Sequence, residues 1–326
     1  MAVNTSSFDW DTYYTSTWYN ILGEQPTDNF FDTNALFVMM REKGNLKKES
    51  GGTEFHINLE YGENSTVTSI GRGGTVSLAD TDVISKAIYH WKYIVGNVTR
   101  YYTDERENKG EHKIIDIASS KMGNLKRSIQ KYANTVQFSD GTGNGGLDPL
   151  GLAAIVAEDP TASSSTVGGI NQNTYSWWRN QYYDAGGRAV ETYLLADMRD
   201  RFNDCCYNGE YPDVIICDQA SAEKYEDETM EQKQIVNKTL GDAGFMQLAY
   251  KGIPLIWDRQ CTVNSMYFLN TDYVYWVTNE DSEFDLTPWK MIPNSLDKVA
   301  QAVLMGNFAT SNRRMLGVLF DIGEAS

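Results

Sequence analysis

The chain has 326 residues, 41% hydrophobic and 12% aromatic, which is enough apolar surface for two connected substructures with a sizeable core. With 28 Lys and Arg against 44 Asp and Glu it carries −16 at pH 7, which argues against sequence-independent binding to nucleic acid and against adhesion to an anionic membrane.

Residues 1–34 mix Asp, Thr, Tyr and Asn with scattered aromatics in no clear period, so this segment is expected to lie against something else. It shows no basic stretch followed by an apolar one, and no secretory signal is expected. Ala35–Met40 reads as a short buried element ending at Gly44, and as the longest apolar run it is far too short to span a bilayer.

From Gly51 to Ser85 the pattern is a two-stranded ribbon. Thr53, Phe55, Ile57 and Leu59 alternate with Glu54, His56, Asn58 and Glu60, the period of a strand. Gly62-Glu63-Asn64-Ser65 offers a turn, Val67–Ile70 begins to alternate again, and Gly71, Gly73 and Gly74 loosen the chain before Val76–Leu78. A ribbon this polar on both faces is not expected to bury itself in its own domain. Val83–Tyr102 is rich in Ile, Val, Tyr and Thr and returns the ribbon to the body as a strand, a helical start near Ser85 being the alternative. The charge run TDERENKGEH, residues 103–112, reads either as a solvated turn or as a patch of ion pairs between subunits. Exposed single pairs contribute only about 0–1 kcal/mol each, so such a patch matters only when repeated.

Residues 113–138 form the clearest helix: Ile114, Ile117, Met122, Leu125, Ile129, Tyr132, Ala133 and Val136 recur at spacings near three and four. Gly123 in its middle has no reason in the sequence. From Phe138 to Asp184 runs FSDGTGNGGLDPLGLAAIVAEDPTASSSTVGGINQNTYSWWRNQYYD, a Gly, Asp and Pro cluster that no helix can cross. The chain is expected to leave one substructure there and enter another. Gly187–Asn208 reads as a second amphipathic helix through Val190, Tyr193, Leu194, Leu195, Met198 and Phe202. Val214–Cys217 reads as a short buried strand, and Asp218-Gln219-Ala220-Ser221 as the cap of a helix running toward Met230. Phe245–Tyr250, Lys251–Asp258, Met266–Thr271 and Tyr273–Thr278 follow. Phe284–Ile292, Val299–Phe308 and Arg314–Phe320 are strand-like and are expected to rebuild the sheet beside the long helix.

Catalytic signatures do not appear. DGTGNGG lacks the Lys-Ser/Thr of a phosphate loop, there is no H-E-x-x-H or G-x-S-x-G, and His56, His90 and His112 look isolated. Asp140, Asp148 and Asp159 lack the spacing of a calcium loop. Cys205, Cys206, Cys217 and Cys261 form no C-x-x-C and are read as reduced thiols of an intracellular product. Neither an enzyme nor a cofactor or metal protein is expected. The 20 Tyr and 8 Trp are many, and both residue types are favoured at contacts between subunits.

A long helix, then DGTGNG, then GLAAIV, then TVGGI and WWRN, resembles in its order the major capsid proteins of tailed phages. PDVIICDQASAEKY and the segments from Phe245 to Thr278 extend the resemblance over most of the chain. It implies an α+β fold of the Hong Kong ninety-seven capsid type, which is shared with encapsulin compartments. It also implies an N-terminal arm at 1–34, an extended hairpin loop at 51–85 and an axial domain at 151–279. The discontinuous peripheral domain is expected at 35–50, 86–150 with its spine helix at 113–138, and 280–326. The implied function is a structural shell protein, forming pentamers and hexamers that close an icosahedral virion capsid around double-stranded DNA. Its expected partners are copies of itself and scaffolding, portal and decoration proteins, with assembly in the host cytoplasm. An encapsulin-like shell around a cargo enzyme is the alternative. Candidate contacts between subunits are Glu54, Glu60 and Arg72 in the ribbon, Asp104, Glu105, Arg106 and Glu107 in the charge run, and Arg313 and Arg314 near the C-terminus. The lumenal wall is expected not to adhere to DNA, with Lys121, Lys126, Arg127 and Lys131 of the long helix as the place to suspect otherwise.

Overall fold

The computed structural model describes residues 34–79, 82–103, 111–229, 248–280 and 285–323. The arm, apart from Asn34, lies outside them, and so do Asp104, Glu105, Arg106 and Glu107.

Helix α1 (Ala35–Glu42) buries all six residues of the apolar run, and the Asn34 side chain accepts hydrogen bonds from the Leu36 and Phe37 amides. Strand β1 (Leu46–Glu49) leads to the ribbon strands β2 (Glu54–Glu60) and β3 (Ile84–His90), and β4 (Lys92–Arg100) continues past a break at Trp91. The returning segment is thus two strands, with no helical start near Ser85. The long helix α2 (Glu111–Gln137) has 27 residues, about 40 Å at 1.5 Å each. Leu125, Ile129 and Ala133 face β4, whereas Tyr132 points outward and donates to Asp148. At Gly96 a Cβ would lie 2.5 Å from Leu125 Cδ1, so glycine lets the helix settle onto β4. Nothing comparable surrounds Gly123, where an added Cβ meets only Arg127 Nη1 at 3.8 Å.

The glycine cluster after α2 closes a helical turn at Gly143–Gly146, with Asn144 and Gly145 left-handed. A short helix α3 (Leu152–Ile155), a two-stranded hairpin of β5 (Thr166–Val167) and β6 (Ile170–Asn171), and a 3-10 turn (Ser176–Trp178) lead to β7 (Gln181–Asp184). Helix α4 (Val190–Asp204) turns Val190, Leu194, Met198 and Phe202 inward, a clean stripe at four-residue spacing. Tyr193 and Leu195, counted on the apolar face by the sequence, are exposed. Strand β8 (Val214–Cys217) is buried throughout, and α5 (Gln219–Glu228) follows it. Asp218 stands at the N-cap of α5, but its side chain makes no capping hydrogen bond. The remaining strands are β9 (Leu248–Tyr250), β10 (Ile253–Trp257), β11 (Met266–Leu269), β12 (Val274–Asn279), β13 (Asp285–Leu286), β14 (Lys290–Met291), β15 (Lys298–Thr310) and β16 (Gly317–Phe320).

They form two six-stranded sheets. In the first, β15 is the spine: β12, β13 and β14 pair with it, β4 pairs with it from Lys298↔Arg100 to Gly306↔Lys92, and β1 adds to β12 in parallel. The second runs β7-β16-β11-β8-β10-β9. Arg314–Phe320 therefore does not rejoin the sheet beside the long helix. Its strand pairs with β11 and β7 in the second sheet, because the chain crosses over through residues 311–316.

One apolar core joins the inner faces of both sheets around α1 and α2, with Phe37 stacked on Phe308 at 5.6 Å and edge-on to Trp276 at 5.8 Å. A second core lies between the other face of sheet two and helices α4 and α5. A third fills the foot of the ribbon. Lys43, just past α1, ties the parts together through ion pairs to Asp213 at 2.5 Å and Asp272 at 2.8 Å. Burial pulls the Lys43 pKa down, but hydrogen bonds to the two carboxylates and their charges carry it above lysine's ordinary value.

Candidate assembly surface

The ribbon divides into two unlike parts. Its foot is the antiparallel ladder β2–β3, in register from Glu54↔His90 to Glu60↔Ile84. Because side chains alternate, Phe55, Ile57 and Leu59 share one face with Tyr89, Ala87 and Ser85, and this face turns into the molecule. Phe55 and Leu59 are buried, Phe55 stacks on Tyr89 at 5.5 Å, and Trp91 lies 4.8 Å from Phe55. Beneath them lie Val167, Ile170, Trp178, Val277, Met305 and Ala309. The expectation that the ribbon could not bury itself in its own domain is wrong for this part: one face is apolar, and burying each large side chain contributes about 1.5–3 kcal/mol.

Polar bonds fix the foot as well. The Ile88 amide donates to the Gly168 carbonyl at 2.9 Å. Gly168 has φ +61°, and a Cβ there would sit 2.8 Å from Ala87 Cβ, so this close approach requires glycine. The Tyr89 hydroxyl donates to the Thr310 carbonyl at 3.1 Å and accepts from the Thr310 amide at 3.2 Å, and burial lifts its pKa to about 12. At the outer end of the ladder Tyr61 stacks on Trp177, 4.9 Å between centroids, which seats the ribbon on the turn that carries WWRN.

Beyond Tyr61 the ribbon changes character. The Tyr61 amide donates to the Val83 carbonyl at 3.0 Å, and between these two residues no described residue belongs to a strand. The alternation at Val67–Ile70 and Val76–Leu78 is thus not strand, and the turn at Asn64 is local, its side chain accepting from the Thr66 amide and hydroxyl. Val67 and Leu78 are 84% and 97% exposed, and Ile70 and Val76 are exposed with them. Four apolar side chains of the tip are thus exposed to solvent in the single chain.

The charged candidates fall into different settings. Glu54 and Glu60 lie on the outer face of the foot and Arg72 on the exposed tip. Glu54 accepts from His56 at 2.9 Å and lies 3.8 Å from His90, so two histidines that look isolated in sequence meet one carboxylate across the ladder. The hydrogen bond from His56 holds the Glu54 carboxyl below its ordinary pKa. Arg314 is exposed and stacks over the Tyr207 ring at 4.4 Å. Arg313, expected at a contact between subunits, is fully buried inside its own chain. Its Nε and Nη2 groups donate to the Ile155 and Ala154 carbonyls at the end of α3, while the buried Nη1 finds no hydrogen-bond partner among the described residues. On α2, Lys121 donates to the Thr99 carbonyl at 3.2 Å and lies 5.4 Å from the Tyr101 ring, while Arg127 and Lys131 are exposed. The sequence missed the aromatic seat, although the alternation of β2 and the paired tryptophans were its visible signals.

Among the described residues no group of three or more His, Cys, Asp or Glu could hold a metal ion, and no helix is long and apolar enough to cross a membrane. No protein-family model matches the sequence, and neither does any curated protein. Solved structures do match. The capsid asymmetric unit of cyanophage A-1(L) aligns with TM-score 0.62 at 17% identity, over 87% of this chain and 93% of that one. The procapsid of satellite phage P4 with its size-determination protein aligns with TM-score 0.54 at 12% identity, over 100% and 94%. The holo-SrpI encapsulin complex of Synechococcus elongatus aligns with TM-score 0.54 at 10% identity, over 87% and 88%. The chain has the α+β capsid fold of the Hong Kong ninety-seven type.

Proposed function

We propose that this chain, with its capsid fold, is the major capsid protein of a tailed bacteriophage, assembling as pentamers and hexamers into an icosahedral shell around double-stranded DNA. The observation that carries the reading is the ribbon: a foot locked into its own body and a tip that offers Val67, Ile70, Val76 and Leu78 to a neighbouring copy. Sheet one with α2 serves as the peripheral part and sheet two with α4 and α5 as the axial part, with residues 1–34 as an arm. On this division β12 belongs to the peripheral part and β16 to the axial one. Glu60, Arg72 and Arg314 remain candidates for contacts between copies, as do Glu54 and the run Asp104–Glu107. The role is structural rather than enzymatic. Scaffolding, portal and decoration proteins are the other partners, and assembly takes place in the host cytoplasm before the shell becomes part of the virion. The wall encloses DNA without sequence-specific binding, in keeping with the charge of −16.

The test is sedimentation and negative-stain microscopy of protein coexpressed with its head-assembly partners, with capsomers and closed shells as the expected result. A stable monomer under all such conditions would sink the reading. The likeness to the SrpI encapsulin supports a second reading, a compartment shell around a cargo enzyme. Purified shells holding one host enzyme in fixed proportion, and no DNA, would select it.

A further inference from the structure

Arg313 lies in the crossover from β15 to β16, the point where the chain passes from sheet one to sheet two. It is 0% exposed, and no carboxylate among the described residues pairs with it. A buried charge without a counter-ion is costly and is retained only when dipoles replace the lost water. Here Nε donates to the Ile155 carbonyl at 2.6 Å, and Nη2 donates to the Ala154 carbonyl at 3.3 Å and to Asn180 Oδ1 at 3.0 Å. The guanidinium also lies 6.0 Å from the centroid of the buried Trp178 ring. Burial lowers its pKa to about 9, which leaves it charged at neutral pH.

The groups it holds continue to the ribbon. Trp178 Nε1 donates to the Val167 carbonyl at 3.0 Å. The next residue, Gly168, takes the Ile88 amide of β3. A second route is shorter: Thr310, three residues before Arg313, is clamped by the Tyr89 hydroxyl of the same strand. Asn180, held by Arg313, in turn bonds the Ala157 amide and carbonyl and the Gln181 carbonyl at the start of β7. One cation thus touches the crossover between sheets, the end of α3 and the root of β7, and its ring contact with Trp178 and the backbone back to Thr310 lead on to the ribbon foot.

We propose that Arg313 is a positioning residue for assembly: it couples the joint between the two sheets to the seat of the ribbon, so that the angle at which the tip is presented follows the relation of the sheets. This rests on the capsid reading for its purpose but not for its geometry. A side chain that only filled space would need no charge. A latch made of carbonyl dipoles needs a donor fork at that place, which lysine reproduces only in part.

The experiment is amide and indole hydrogen exchange on the full-length chain in its unassembled state. Arg313→Met should raise exchange at the Ile88 amide and the Trp178 indole tenfold or more, while amides of β8 and β10 change less than threefold. Arg313→Lys should fall between Met and wild type. Trp178→Phe, which cuts the link to Val167 and keeps the ring, should loosen Ile88 with the same selectivity, and if Arg313→Met does not fold the Arg313→Lys comparison decides the matter. An even rise across β3, β8 and β10, or an unchanged Ile88, would overturn the proposal. A wild-type chain that never assembles would remove the capsid reading and leave this comparison standing.

Discussion

The foot and the tip of the ribbon are consecutive in sequence and opposite in physics. The foot places aromatic and aliphatic side chains on one face of a ladder and buries them under its own body. The tip has apolar side chains too, yet Leu78 is almost wholly in water. What separates them is the strand period: where alternation is strict, one face becomes apolar and finds a core, and where glycines break it the apolar residues scatter into solvent. On the proposed capsid reading, a subunit built this way keeps its projecting element oriented while leaving its tip for another copy.

The comparison is broken most directly at the foot. Phe55→Ala should destabilise the subunit by about 3–5 kcal/mol, as for other buried phenylalanines, seen as a fall in the denaturant midpoint. At the border, Trp177→Ala removes the stack on Tyr61 and should cost about 0.5–1.5 kcal/mol beyond the lost area. At the tip, Leu78→Ser should shift subunit stability by less than about 0.5 kcal/mol. It should nevertheless reduce closed shells seen by microscopy. Equal destabilisation by Phe55→Ala and Leu78→Ser would erase the distinction.

The smallest effect concerns the outer face of the foot. Glu54 has a depressed pKa in the folded chain, so its contribution to stability is present above the unfolded value near 4.5 and is lost as pH falls through the folded value. Glu54→Gln should therefore lower Tm at pH 6, with the difference shrinking as pH falls below about 4.5. A Tm difference independent of pH would mean that the carboxylate's charge is idle.

Much of this was legible in the sequence because it is local. The 3.6-residue stripe of α2, the four apolar residues of β8 and the alternation of β2 each state their own element. The ribbon was misread because strand and loop were averaged: Glu63, Asn64, Ser65 and Arg72 belong to the tip, and counting them with β2 made both faces look polar. Arg313 was misread because arginine is rarely buried, and the carbonyls and amide oxygen that solvate it come from residues more than 130 positions away. The place of β16 was hidden for the same reason. A short apolar strand fits either sheet by composition, and its pairing with Met266–Phe268 is set by the crossover.

The central claim is that the foot belongs to the subunit and the tip to the assembly, and one deletion tests it. Joining Gly62 directly to Asp82 leaves a two-residue Gly-Asp loop between Tyr61 and Val83, whose backbones already bond, and glycine at the first position suits a tight hairpin turn. Sedimentation velocity on this variant and on wild type, each coexpressed with the same assembly partners, gives the answer. A folded subunit that sediments as monomers or capsomers, beside wild-type shells, is the predicted result. Closed shells from the shortened chain, or a chain that no longer folds, would contradict it.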